Sequence, residues 1–198
     1  DHSAVAVSKQ DNPVKDYRFR YFFPRHLQLL AYGSGILTNL QGQPWLFLQV
    51  PFFMIFQFFS TWRLMRQLEP DLIHAHWVFP QGWIAALLGK WRGVPVIVTV
   101  HGSDAHSLRH SLLAKIKRWT LRNCSSWTSN TSATAQVVGN NLPVPKIIPM
   151  GVDLKRFNSG LSLKKTPGTS VLLFVGRLVE IKGLRDLITA FSLMDKSL

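Results

Sequence analysis

The stretch Pro95–His106, PVIVTVHGSDAH, decides the fold. Val96, Ile97, Val98 and Val100 make a nearly continuous β-branched run, which reads as a strand buried on both faces. Its carboxyl end passes directly into His101, Gly102, Ser103, Asp104 and His106. Ligands of open parallel sheets bind at that end of the strands, so polar residues there are candidate functional groups. A His and an Asp beside a permissive Gly102 suit contact with sugar hydroxyls or a polar reacting group. A metal site is the competing reading, but no Cys accompanies these residues and no helical His-Glu-x-x-His spacing occurs.

Working outward, strand and helix patterns alternate. Upstream, Asp71 to Ala75 reads as a strand, with His74 and His76 two apart and therefore on one face. Gln81 to Trp91 reads as a helix ended by Gly93. Downstream, Ser107 to Arg122 is a basic amphipathic helix and Ser126 to Thr131 a strand. Ser132 is expected to cap a helix through Val138, and Lys146 to Ile148 is short and extended. Short connections between these elements imply an α/β fold, a Rossmann-like parallel sheet with helices on both faces.

The flanks differ. Tyr17 to Phe23 alternates basic and aromatic residues as a half-exposed strand would. From His26 to Trp62 there is no Asp, Glu, Lys or Arg, and Phe52 to Gln67 reads as a helix. Gln49, Pro51, Gln57 and Ser60 interrupt its apolar run and argue against a full membrane span. Two readings stay open: a core helix, or one lying in the bilayer interface with Trp45 and Trp62 near its ends. At the other flank, Gly151 to Gly168 reads as a linker and Val171 to Val175 as a second buried strand. Gly176 to Gly183 follows as a loop, and Leu184 to Met194 as a helix.

Composition bounds the function. At roughly 150 residues per domain, 198 residues make about 1.3 domains. The chain opens at Asp1, not Met, and stops within a helical pattern, so it reads as an internal piece of a longer protein. Its 46% apolar content excludes disorder as the main state, and the single Cys124 excludes a disulfide scaffold and favours a reducing compartment. A net charge of +13 and a pI near 10.5 call for an anionic partner: phosphate, nucleic acid or a membrane face. Ten Lys or Arg lie between His106 and Lys165 against one acid, Asp153. Arg109, Lys115, Lys117, Arg118 and Arg122 are expected largely on one helix side, attracting anionic lipid or nucleic acid, or simply facing water. No helix-turn-helix spacing, zinc-finger box or RNP-like strand supports nucleic acid beyond charge.

The second strand–helix unit carries GRLVEIKG at Gly176–Gly183. Arg177 can fork two phosphate oxygens and Lys182 adds a point charge near a helix start, which reads either as a diphosphate clamp or as a solvated loop.

Taken together, DLIHAHW (Asp71–Trp77), PVIVTVHGSDAH (Pro95–His106), PMGVDLKRF (Pro149–Phe157) and GRLVEIKGLRDLITAF (Gly176–Phe191) resemble the group 1 glycosyltransferases, retaining enzymes of GT-B fold. Pro149-Met150-Gly151 departs from the family's more frequent Pro-Asn-Gly. The resemblance implies two facing Rossmann-like domains with the active site between them. By that analogy residues 1–149 are an acceptor-side domain without its first strand, 150–168 an interdomain linker, and 169–198 the first βα unit of a truncated donor-binding domain. The implied activity moves a sugar from a nucleotide-diphosphate-sugar to a lipid-linked or polysaccharide acceptor with retention of configuration. His101 then matches the catalytic-site histidine that contacts the transferred sugar, and Arg177 and Lys182 match the residues that hold the donor diphosphate. The departing diphosphate helps deprotonate the acceptor, and no metal or cofactor is implied because Arg and Lys neutralise the leaving group. The family's glycine-rich loop and its glutamate-bearing motif have no counterpart here, so the chain alone is expected to be inactive. The expected location is cytoplasmic; the Phe-rich helix and the basic stretch fit peripheral contact with the anionic face of the membrane, and no nucleic-acid partner is expected. A non-catalytic nucleotide- or phosphate-binding module is the alternative, and a basic nucleic-acid-binding protein a further one.

Overall fold

The computed structural model describes residues 15–33, 35–106, 110–139, 141–157 and 171–194. The chain divides into two compact units, residues 1–151 and 152–198, each described by itself.

The first unit is built on four parallel strands whose order in the sheet equals their order in the chain: β1 (Ile73–His76), β2 (Val96–Val100), β3 (Ser126–Ser129) and β4 (Lys146–Ile147). Ile73 stands opposite Val96, Val98 opposite Trp127, and Thr128 opposite Lys146. Helices α3 (Trp83–Arg92), α5 (Ser111–Asn123) and α6 (Ser132–Val138) connect successive strands, and the short helix α4 (Gly102–His106) precedes α5. Arg109 and its neighbours at 107–108 lie outside the described residues, so the expected start of α5 at Ser107 does too. The core joins Ala75, Val96, Val98, Val100, Leu121 and Trp127, with Val78 and Ala85 from the segment between the first two strands. Burying each of the larger aliphatic side chains contributes about 1.5–3 kcal/mol. Along β2 the burial alternates: Val96, Val98 and Val100 are fully enclosed, whereas Ile97 and Thr99 are only half-buried. The strand is therefore less completely enclosed than its composition implies. Helix α3 reaches β2 closely because Gly89 lacks a side chain. A Cβ there would meet Val96 Cγ2, and would lie 2.7 Å from the Val94 carbonyl oxygen.

Helix α6 is capped by Thr131, not Ser132. The Thr131 backbone is extended, and its Oγ1 accepts from the Thr134 N–H at 3.1 Å.

Preceding the sheet are α1 (Ile36–Gly42) and the long α2 (Gln49–Leu68), entered through a 3₁₀ turn at Pro44–Leu48. Tyr17 to Phe23 forms no strand. Its aromatics pack on α2 instead, Phe19 and Tyr21 placing ring centroids 5.5 and 5.1 Å from Phe53. The Tyr21 N–H donates to Gln28 Oε1 at 3.0 Å, a side-chain partner where a strand would offer a backbone one. Burial pushes the Tyr21 hydroxyl pKa up. Helix α2 packs one face on α3 through Met54, Phe58, Trp62 and Met65, against Ile84 and Leu88. Its opposite face leaves Phe52, Ile55, Phe56 and Phe59 exposed. Pro44–Leu68 has the length and composition to cross a membrane, a property that core helices of soluble proteins share.

In the second unit a 3₁₀ turn (Glu180–Lys182) leads through Gly183, at φ +67°, into α7 (Leu184–Ser192). Residues 171–175 were expected to form a buried strand, but they are not in a ladder, and Val171, Leu172, Leu173 and Val175 are exposed. An apolar run becomes a strand only beside a partner, and none pairs with it among the described residues. Of the expected linker, residues 158–168 lie outside the described residues, as do 169 and 170 after it. Before them Asp153 Oδ1 accepts from the Lys155 and Arg156 N–H groups in a local turn.

Two measurements check this packing. Gly89→Ala should cost about 1–3 kcal/mol in urea unfolding because the added methyl meets backbone and a core valine. Gly102→Ala should cost nothing, since no atom lies within 4 Å of the added carbon. Burial raises the Cys124 thiol from its ordinary 9.0 to about 11. The folded state therefore keeps a proton that the unfolded state releases, and the stability it supplies below pH 9.0 is lost as pH climbs to about 11. In Cys124→Ala this part of the alkaline loss should vanish from pH-dependent unfolding.

Candidate functional site

The carboxyl ends of β1 and β2 lie side by side, and a single buried carboxylate ties them together. Asp104, 4% exposed, accepts the Val78 N–H on Oδ2 at 2.6 Å and the His101 N–H on Oδ1 at 2.8 Å. One side chain from α4 thus fixes the residue after β2 and the start of the turn after β1. Burial raises the carboxyl pKa, while the hydrogen bonds from Val78 and His101 oppose the rise. The Lys117 Nζ donates to the Asp104 carbonyl oxygen at 2.5 Å and to that of Ala105 at 3.4 Å, closing the carboxyl end of α4. Burial lowers the Lys117 pKa and the Asp104 charge works against it. Lys117 is therefore not one of the outward cations of α5, as its charge alone implied. It sits on the inner stripe with Thr120 and Leu121, and that i, i+3, i+4 spacing was the signal available.

Gly102 is not needed for a special conformation: its φ is not positive, and it opens α4 with open space around it. The unusual backbone is at Trp77, φ +68° and ψ 132°. A non-glycine residue there carries about 1–3 kcal/mol of strain, held only where the surroundings over-determine it. They do so here: the Trp77 N–H donates to the Thr99 carbonyl, its own carbonyl accepts from Gly82, and Asp104 holds Val78. This aims the Trp77 indole at His101, with ring centroids 5.7 Å apart.

The histidines gather as their spacing indicated. His74 and His76 project from one face of β1 with ring centroids 4.6 Å apart, and the His76 ring stacks on His101 at 5.3 Å. His76 Nδ1 and His101 Nε2 are 3.1 Å apart, so one of the two carries the shared proton and the other accepts it. A second row crosses the same face, His74 Nε2 to Thr99 Oγ1 at 2.8 Å and Thr99 Oγ1 to Thr128 Oγ1 at 2.7 Å. Burial and the neighbouring imidazoles His76 and His101 lower the His74 pKa, which keeps the row uncharged at neutral pH. Asn130, immediately after β3, has a buried Oδ1 without a hydrogen-bond partner among the described residues. Sequence reasoning missed Asn130 and the Thr99–Thr128 pair, because lone polar residues in short strands carry no spacing signal. The result is a partly exposed wall of imidazole and hydroxyl groups, suited to exchanging hydrogen bonds with a polyhydroxylated ligand. Among the described residues no three His, Cys, Asp or Glu side chains are grouped to hold a metal ion.

Arg177 and Lys182 lie in the second unit, both exposed, in the connection to α7. The Val179 N–H donates to the Arg177 carbonyl and the Lys182 N–H to the Val179 carbonyl, each at 2.9 Å.

The family model of Glycosyltransferase Family 4 matches residues 13–156, which include the whole imidazole wall. The chain belongs to glycosyltransferase family 4. Its α/β parallel sheet agrees with the GT-B architecture anticipated from its motifs. Among relatives, the Bacillus subtilis protein TuaC, named for teichuronic acid biosynthesis, is 30% identical over 143 residues, which is 67% of this chain and 37% of that protein. The 2-deoxystreptamine glucosyltransferase of Streptomyces kanamyceticus is 31% identical over 65% of this chain and 39% of its own length. The glycogen synthase of Mycobacterium tuberculosis is 30% identical over 63% of this chain and 32% of its own. The family 4 chain thus spans well under half the length of these relatives.

Asp104→Asn should destabilise the family 4 chain by about 1–3 kcal/mol, because its amide turns a donor toward one of two backbone N–H groups. Urea unfolding gives the cost, and a shifted His101 amide resonance reports the lost bond. Long-range ¹H–¹⁵N spectra of the imidazoles at alkaline pH should show His76 and His101 as a complementary donor and acceptor. His76→Phe should change the His101 pattern; an unchanged pattern would mean the two rings share no proton.

Proposed function

We propose that this chain is the acceptor-side domain and the first donor-binding unit of a glycosyltransferase that takes its sugar from a nucleotide-diphosphate-sugar. The observation that carries the reading is the imidazole wall at the carboxyl ends of β1 and β2, held by Asp104, in a chain of glycosyltransferase family 4. The acceptor is a lipid-linked or polysaccharide glycan, and the anomeric configuration is retained. Residues 1–149 form the acceptor side, 150–168 the connection, and 169–198 the start of the donor side.

The bond between the sugar C1 and the diphosphate oxygen breaks as a bond forms from C1 to the acceptor oxygen on the same face. The acceptor proton passes to the departing phosphate. His101 contacts the transferred sugar, while Arg177 and Lys182 hold the diphosphate and neutralise the charge that develops on it. Fixed cations of this kind make a metal or other cofactor unnecessary. The 198-residue chain by itself transfers no sugar; its coverage of 37% of TuaC supports a requirement for more protein. The enzyme works from the cytoplasmic side as a peripheral protein. The exposed Phe52, Ile55, Phe56 and Phe59 of α2 and the +13 charge support that placement.

The test is a donor screen on the intact protein with labelled nucleotide-sugars. Arg177→Ala and Lys182→Ala should each lower kcat/KM by about 10²–10³ with little effect on folding, and EDTA should leave the rate unchanged. Turnover unaffected by either substitution would sink the assignment of the diphosphate site.

A further inference from the structure

Helix α5 presents Lys115, Arg118, Trp119 and Arg122 at i, i+3, i+4 and i+7, one stripe on its outer surface. These four residues line a groove of about 340 Å³. The groove is partly built: the Arg122 guanidinium donates to the Asn141 carbonyl oxygen at 3.3 Å, and the Arg118 stem runs beside Gly139. Trp119, half-buried, supplies an apolar wall. No Asp or Glu occurs anywhere between Asp104 and Asp153, so this stretch offers the three cations no counter-charge of its own. Like charges three and four residues apart repel along a helix, and an anion seated among them relieves that repulsion. Two guanidinium forks and one ammonium around a pocket of this size match a phosphate ester, each fork able to hold two of its oxygens.

We propose that this groove binds the phosphate of an anionic phospholipid headgroup. The inference rests on the reading of the enzyme as a peripheral membrane protein and names the side chains responsible. Two features favour lipid over nucleic acid. An indole beside the cations is the side chain enriched at bilayer interfaces, and the same unit exposes the apolar stripe of α2, which a sugar-phosphate backbone does not need.

The test is co-sedimentation of the full chain with vesicles of phosphatidylcholine alone and of phosphatidylcholine mixed with phosphatidylglycerol. The chain should bind the mixed vesicles only. The triple variant Lys115→Gln, Arg118→Gln, Arg122→Gln should lose at least about tenfold in partitioning, since each basic residue near an anionic surface is worth roughly fivefold. Arg118→Lys with Arg122→Lys, which keeps the charge and removes the forks, should lose part of it. A control triple at the exposed Lys90, Arg92 and Lys146, each to Gln and none on α2 or α5, should retain most of the binding, and equal urea midpoints should show that every variant folds. If wild-type chain binds neither vesicle, both this site and the membrane reading fall. If it binds and the groove triple binds equally, or the control triple loses as much, the groove is wrong and the membrane reading stands. Saturation by soluble glycerol phosphate at the vesicle affinity, or displacement by duplex DNA from wild type only, would reassign the groove and overturn the lipid.

Discussion

The buried carboxylate of Asp104 is the constraint on which the rest of the site depends. Enclosing an ionised group is costly unless every lone pair facing the interior is used. Asp104 uses two, on backbone N–H groups that belong to different strand ends, and the positive end of Lys117 lies close by on the carbonyl of the same residue. The cost of burial is therefore offset only when β1, β2, α4 and α5 are all in place. A group with that property behaves as an assembly check. It contributes little to a partly formed site and its full share to a complete one.

What Asp104 holds still is a surface of unusual composition for a parallel strand. Alternate residues of β1 and β2 point inward as Ala75, Val96, Val98 and Val100, while those between them are His74, His76 and Thr99. The apolar set anchors the sheet and leaves the polar set free to be chosen for ligand contact. Burial and the neighbouring imidazoles lower the His74 pKa, and the His76 ring lies stacked on His101.

Much of this was legible from residues in order. The run Val96–Val100 announced a core strand, the His74–His76 spacing a shared face, and Gly93 the end of α3, where it takes φ +70°. These signals are local, each depending on a few neighbours in the chain. The misreadings share the opposite property. Tyr17 to Phe23 alternates like a strand, but its rings find Phe53 more than thirty positions away. Residues 171–175 have strand composition but no partner among the described residues, and Lys117 looked like a surface cation until α4 was seen to end above it. Thr131 and Ser132 are both good caps, and only the extended backbone at Thr131 decided between them. Where a residue's role depends on something distant, composition and spacing underdetermine it.

One property of the sheet has a consequence for how the protein is made. Its strands are stacked β1-β2-β3-β4, the order in which a ribosome delivers them. Each of these strands after the first therefore pairs with the one delivered just before it, and only a helical connection separates the two. Among the described residues, no strand of the sheet is threaded between two earlier ones. The loop-closure cost that slows distant strand pairing stays small at every step, and assembly can keep pace with synthesis.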